Sequence, residues 1–150
     1  MYMIALKKAM ASCSRREHCS HDIRNRLLMW GVSNSDADKI IRTLVKENFI
    51  NDSRFALAFV KDKFKYNKWG RVKIAAHLKM KGLASDIIDH ALNSIENDEY
   101  ISLLKDIIKV HRKSVKAINQ YDLKAKLLRY GQSKGFESSI LYDILNEMEE

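Results

Sequence analysis

Apolar residues recur at helical spacing from one end of this chain to the other. Leu6, Ala9, Met10 and Cys13 stand at i, i+3, i+4 and i+7, one face of a first helix. Ile23, Leu27 and Trp30 mark a second helix, capped by Ser20 and stopped at Gly31. Ala37, Ile40, Ile41 and Leu44 mark a third, opened by Ser33 or Ser35. Asn51 or Asp52 caps a fourth, which carries Phe55, Ala56, Phe59, Val60 and Phe64 and continues to Tyr66. A fifth starts near Gly70, carries Val72, Ile74 and Leu78, and ends at Gly82. Ser85 caps a sixth with Ile87, Ile88, Ala91, Leu92 and Ile95. After Asn97 a seventh presents Tyr100, Ile101, Leu104, Ile107, Ile108 and His111. An eighth runs from about Gln120 to Tyr130 and stops at Gly131, and a ninth carries Phe136, Ile140, Leu141, Ile144, Leu145 and Met148. No segment sustains the period-two alternation of a strand.

These helices repeat in threes. Gly31, Gly82 and Gly131 are 51 and 49 residues apart. Four residues before each glycine stand Leu27, Leu78 and Leu127, and eight before stand Ile23, Ile74 and Leu123. The expected fold is all-α: three tandem three-helix repeats, residues 1–50, 51–97 and 98–150, forming an elongated, curved arc of right or left hand. A tandem helical array is built less around one catalytic pocket than as an extended surface for gripping something large.

Composition supports helix everywhere. Proline is absent and glycine occurs five times in 150 residues, so the strongest helix breaker is missing and no long linker is visible. Met1 to Ala5 are apolar, but Lys7 and Lys8 follow at once, too soon for a signal-peptide core, and no apolar run approaches a bilayer span. The expected compartment is the cytoplasm, the expected state a monomer, and no membrane partner is foreseen.

Charge changes the picture further. Lys and Arg number 27 against 19 Asp and Glu, a net +8, which points to an anionic polymer or surface as partner. The excess is segregated. Residues 61–81 carry a net +7 and 85–99 a net −5; residues 105–134 carry +7 and 137–150 carry −5. Within repeats two and three, the first two helices are basic and the third acidic. Repeat one follows weakly, with six bases against two acids over residues 7–26. Repeats stacked in register would line one side with bases and bind phosphates with a steep salt dependence; each basic helix taken singly also reads as an ordinary solvated face. Phe64, Tyr66 and Trp69 interleave with Lys63, Lys65, Lys68 and Arg71, as in surfaces that stack on unpaired bases, though Phe64 and Trp69 also suit the joint between the fourth and fifth helices.

Signatures of catalysis are missing. The chain has no GxxxxGK[ST], GxSxG, HExxH or paired CxxC. Cys13, Cys19, His18 and His21 cluster within nine residues, but their spacing suits zinc poorly. Cys13 reads as a core residue and Cys19 as part of a turn, and a disulfide is disfavoured in a reducing compartment. The carboxylates are spread over the acidic third helices, with no pair isolated for acid–base work. No cofactor and no enzymatic activity are expected.

Asn51-Asp52-Ser53-Arg54-Phe55-Ala56, then Gly70-Arg71-Val72-Lys73-Ile74, then Leu78-Lys79-Met80-Lys81-Gly82-Leu83 resemble the RecX family. Asp52, Arg54, Phe55, Ala56, Gly70, Ile74, Leu78, Lys81 and Gly82 match its pattern. The middle repeat carries the specific match, and the other two agree by helical pattern. Asn51 stands where an acid is common, and Arg71 where a proline is frequent. Asp52, Arg54 and Phe55, with the three glycines, read as structural: Asp52 as a cap of the fourth helix, Arg54 as a partner for a nearby acid.

The resemblance implies a small regulator, mainly an inhibitor, of the RecA recombinase. It would bind the groove of the RecA–single-stranded-DNA filament and limit filament extension, strand exchange and ATP hydrolysis, with double-stranded DNA a further candidate partner. The residues expected to contact recombinase or DNA are Arg15, Arg16, Arg24 and Arg26 in repeat one. In repeat two they are Lys61, Lys65, Lys68, Trp69, Arg71, Lys73, Lys79 and Lys81, and in repeat three Arg112, Lys113, Lys116, Lys124, Lys126 and Arg129. Such contacts position a protein without reading sequence. Two rivals are a free-standing DNA-binding protein with helix-turn-helix-like units and a scaffold for an acidic protein. The acidic third helices, where a recognition helix would fall, weigh against the first.

Overall fold

A computed structural model describes residues 1–149 of the chain. Among them lie nine α-helices and no strand: α1 (Tyr2–Arg15), α2 (Ser20–Met29), α3 (Asn34–Lys46), α4 (Asp52–Lys65), α5 (Arg71–Met80), α6 (Ser85–Leu92), α7 (Asn97–Arg112), α8 (Gln120–Ser133) and α9 (Ser138–Glu149). The chain divides into two compact units. One comprises Met1–Phe59 with Leu78–Ala91, the other Val60–His77 with the chain from Leu92 onward. The middle repeat contributes to both.

Helix starts follow local capping chemistry, with two departures from expectation. The Ser33 hydroxyl accepts the Asp36 amide at 3.2 Å, and the Asn51 side chain accepts the Arg54 amide at 3.0 Å, so Ser33 and Asn51 are the caps of α3 and α4. Asp52 is the first residue of α4 rather than its cap, a carboxylate set beside the positive end of the helix dipole. Ser20 does not cap α2: Cys19 occupies that position, with no side-chain cap bond. Asn119, at the start of α8, accepts the Asp122 amide at 2.8 Å.

Helix ends show why glycine recurs. At Gly31 (φ 87°) and Gly82 (φ 78°) the chain turns left-handed. The amides of Val32 and Leu83 then donate to Leu27 and Leu78, and those of Gly31 and Gly82 to Leu28 and Lys79. This paired closure satisfies the last carbonyls of α2 and α5. The third repeat makes the same closure one turn later than expected. Its left-handed glycine is Gly135 (φ 91°), with Phe136 donating to Gly131 and Gly135 to Gln132. Gly131 lies inside α8 instead of ending it. A Cβ there would collide with the Leu141 side chain, so this glycine serves helix packing.

The first unit has a core of Ile23, Leu27, Ile40, Leu44 and Ile50, onto which Ala5 and Ala9 let α1 pack closely. In the second unit, Tyr100, Leu104 and Ile108 of α7, Leu127 of α8, and Leu141, Ile144 and Leu145 of α9 are buried, together with Phe64 and Phe136. Tyr100 lies 5.8 Å from the Phe64 ring and 5.2 Å from that of Phe136.

Candidate functional site: a nucleic-acid and protein interface

The bases divide into those that hold the fold and those that face out. Arg54 donates from Nε to Glu17 Oε2 at 2.9 Å and from Nη2 to the Asn48 carbonyl at 3.0 Å. Lys81 Nζ donates to both Asp22 oxygens, at 2.9 and 2.8 Å. Asp22 feels two opposing effects: burial raises its carboxyl, and the Lys81 ammonium with His21 and Cys19 outweighs that, leaving it below the ordinary range. Arg24 pairs with Asp38 and reaches Asn34. The pairing expected of Arg54 is therefore present, while Lys81 and Arg24 spend their donors inside the first unit.

Arg71 is more deeply committed. Its Nη1 donates to Glu137 Oε2 at 3.1 Å, its backbone N–H donates to the Tyr100 hydroxyl at 2.9 Å, and its guanidinium lies 3.8 Å from the centroid of the Tyr100 ring. The Tyr100 hydroxyl in turn donates to Glu137 Oε1. Burial, reinforced by the Glu137 carboxylate, pushes the Tyr100 phenol well above its ordinary range, so it remains a donor. The start of α5 is fixed by backbone as well. Gly70 N–H donates to the Lys134 carbonyl at 2.8 Å, and Val72 N–H to the Gly135 carbonyl at 2.9 Å. A Cβ on Gly70 would strike the Gly135 backbone, which is the physical reason for a glycine here. The amides that any helix start leaves unpaired are thus taken up by the α8–α9 turn and by Tyr100.

Trp69, half-buried, is sandwiched. Lys63 and Lys73 place their ammonium groups 5.1 and 4.6 Å from its ring centroid, and His77 lies 4.6 Å away. Phe64 is core, as its joint-plugging reading expects. In α8, Lys126 pairs with Asp122 at 2.9 Å and donates to the Lys116 carbonyl at 2.7 Å, and Lys124 donates to Asn146. The Lys126 ammonium and the Ile118 amide hold the Asp122 carboxyl below its ordinary range.

The remaining expected bases are exposed: Arg15, Arg16 and Arg26 from repeat one, Lys61, Lys65, Lys68 and Lys79 from repeat two, and Arg112, Lys113, Lys116 and Arg129 from repeat three. Lys68 adopts a left-handed conformation (φ 57°) at the turn after α4, and Lys65 lies over the exposed ring of Tyr66. Arg112 and Lys113 border an open hollow with Lys109, Val110 and Asp106. Ile118 on the α7–α8 connection and Tyr121 in the first turn of α8, both strongly exposed, stand near these bases in sequence.

Charge segregation gave no hint of Tyr100 and Glu137, which it classed as a core aromatic and an acid of the third helix. The one available signal was a tyrosine at a core position with a hydroxyl to satisfy. The cysteines and histidines do not assemble a metal site: among the described residues no group of three or more potential ligands is arranged to hold an ion. Cys13 and Cys19 are free thiols, and burial pushes the Cys19 thiol up to about 11. Among the described residues, no helix is long and apolar enough to cross a membrane.

Comparison with known proteins bears on this arrangement. Residues 51–92 match the family model of the RecX second three-helix domain. A regulatory protein RecX of Clostridium botulinum is 31% identical over 141 residues, covering 93% of this chain and 66% of that protein. One of Lactobacillus johnsonii is 27% identical over 136 residues, covering 91% of this chain and 50% of its own length, so this chain spans only half of that relative. A crystal structure of regulatory protein RecX superposes with a TM-score of 0.87 at 20% identity, over 97% of this chain and 73% of the other, so the helical fold is shared. With its motif-bearing middle repeat, its helix order and these relatives, the chain belongs to the RecX family of regulatory proteins.

Proposed function

We propose that this chain regulates a RecA-type recombinase, mainly as an inhibitor. In this reading it lies in the groove of the recombinase–single-stranded-DNA filament and limits filament extension, strand exchange and ATP hydrolysis. It acts in the cytoplasm and as a monomer. As a member of a family of regulators it is not an enzyme: it works by occupancy. The observation that carries the reading is family membership joined to a defined set of outward bases. Once Arg24, Arg54, Arg71, Lys81 and Lys126 are committed to internal partners, the exposed lysines and arginines of each repeat remain for phosphates and acidic subunit surfaces. Phosphate contacts of this kind release counterions, so filament binding falls steeply with salt.

The test is titration into the cognate recombinase during single-strand-dependent ATP hydrolysis and strand exchange. Both rates are expected to fall as the protein is added, and rates that stay constant at saturating protein would refute the reading. Replacing Lys61, Lys65 and Lys68 together by glutamate removes three exposed bases and no buried contact. That variant should need roughly tenfold more protein for half-inhibition, since each lost phosphate contact removes one term of the salt-dependent affinity, with its melting curve unchanged. A strongly preferred duplex emerging from sequence selection would instead favour the free-standing DNA-binding reading. Capture of an acidic protein that survives nuclease treatment, without recombinase inhibition, would favour the scaffold.

A further inference from the structure

Where α1 gives way to α2, three arginines surround a hollow without an acid. Ser12, Arg15, Arg16, His18 and Arg26 line an open, solvent-facing hollow of about 250 Å3, wide enough to admit an oxyanion. The chain leaves α1 at Arg16 in an extended conformation (φ −161°, ψ 163°), and His18 follows, only 4% exposed, as a wall of the hollow.

Nearby carboxylates have basic partners of their own: Glu17 pairs with Arg54 through one oxygen, Asp22 with Lys81 and Asp38 with Arg24, while the second Glu17 oxygen is buried without a partner and the Asp22 charge still reaches His18. Among the described residues, Arg15, Arg16 and Arg26 enter no ion pair. Like charges gathered around a buried polar ring repel one another unless something negative joins them. Burial, then Arg26 and Arg16, press the His18 imidazolium toward its neutral form. The neutral ring, whose N–H is given to the Ser12 backbone carbonyl, adds no charge to the cluster.

We propose that this hollow is a phosphate site, in which the guanidinium forks of Arg16 and Arg26 grip the oxygens of a phosphate group while Arg15 and Ser12 flank it and the His18 ring lies against it as a neutral wall. Guanidinium suits this role because its paired N–H groups match two phosphate oxygens at once. The phosphate belongs either to a nucleic-acid backbone or to a free phosphate or monoester. The first source rests on the filament reading above; the site itself does not.

The experiment uses the full chain without recombinase, following the His18 ring resonances by NMR at constant ionic strength. Inorganic phosphate should shift them saturably, whereas chloride should not. Replacing both Arg16 and Arg26 by glutamine should weaken phosphate at least tenfold with the melting curve unchanged; replacing both by lysine, which keeps the charge but loses the fork, should recover only part of it. An oligothymidylate is the second arm. If it displaces phosphate and also weakens tenfold in the glutamine variant, the backbone is the source. If it binds both proteins alike while phosphate binding is lost, a free phosphate or monoester is. No saturable response at His18, an equal response to chloride, or a glutamine variant that binds phosphate like the parent overturns the site. Because recombinase is absent, that failure leaves the ATP-hydrolysis test untouched.

Discussion

In the first unit, Arg54 and Lys81 of the middle repeat reach Glu17 and Asp22 through long side chains, at 2.9 and 2.8 Å and still partly in solvent. In the second, Gly70 and Arg71 of the same repeat are held through backbone bonds to Lys134 and Gly135 and through the Tyr100–Glu137 pair under them. The same three-helix element is thus held by part-buried side-chain ion pairs alone in one unit, and in the other by an ion pair of similar exposure joined to backbone hydrogen bonds and to the stacked, fully buried Tyr100. Partly solvated ion pairs contribute little each, about 0.2–1 kcal/mol. A network anchored on backbone amides and on the fully buried Tyr100 costs more to break, because removing one member strands its partners. The second attachment should therefore be the brittle one and the first the forgiving one.

That contrast can be broken most sharply at Gly70. Gly70→Ala places a Cβ against the Gly135 backbone and pulls two amide bonds out of line. We expect a loss of about 3–5 kcal/mol from overpacking and broken hydrogen bonds, read by urea denaturation. A stability equal to that of the parent would show that the close approach is not required. Next comes Tyr100→Phe, which leaves the Arg71 amide and one Glu137 oxygen without their partner. Its expected cost is about 1–3 kcal/mol, with the helix content seen by circular dichroism retained. Gly82→Val tests the first unit. Open space surrounds a Cβ there, so only the left-handed backbone is strained, at about 1–2 kcal/mol.

The smallest effect should come from Lys81→Met. It removes an ion pair in which both groups are partly exposed, so a loss of under about 1 kcal/mol is expected at neutral pH. The pH dependence sharpens the test. Because the folded Asp22 carboxyl sits below its unfolded value, its contribution is present above about pH 4 and fades as pH falls through the folded value. The Lys81→Met variant should lose less stability on acidification than the parent. Parallel pH profiles for the two proteins would remove the pair from the account.

Sequence alone determined the local features of this protein. Helical periodicity marked nine segments, and glycine after the last apolar position located the stops at Gly31 and Gly82, because helix formation, capping and left-handed closure depend on residues within one or two turns. Tertiary structure decided the rest. Leucine spacing aligned Gly131 with the other two glycines, yet Leu141 packs against it and the turn falls at Gly135. Ser20 has the right chemistry for a cap, but Cys19 occupies that place. Net charge could not sort the bases: Lys81 finds Asp22 across 59 residues and Arg71 finds Glu137 across 66, whereas Arg16 and Arg26 remain unpaired around a hollow. An ammonium or guanidinium group reads the same in any sequence. Whether it holds the fold or waits for a ligand depends on which distant carboxylate the packing brings within 4 Å of it.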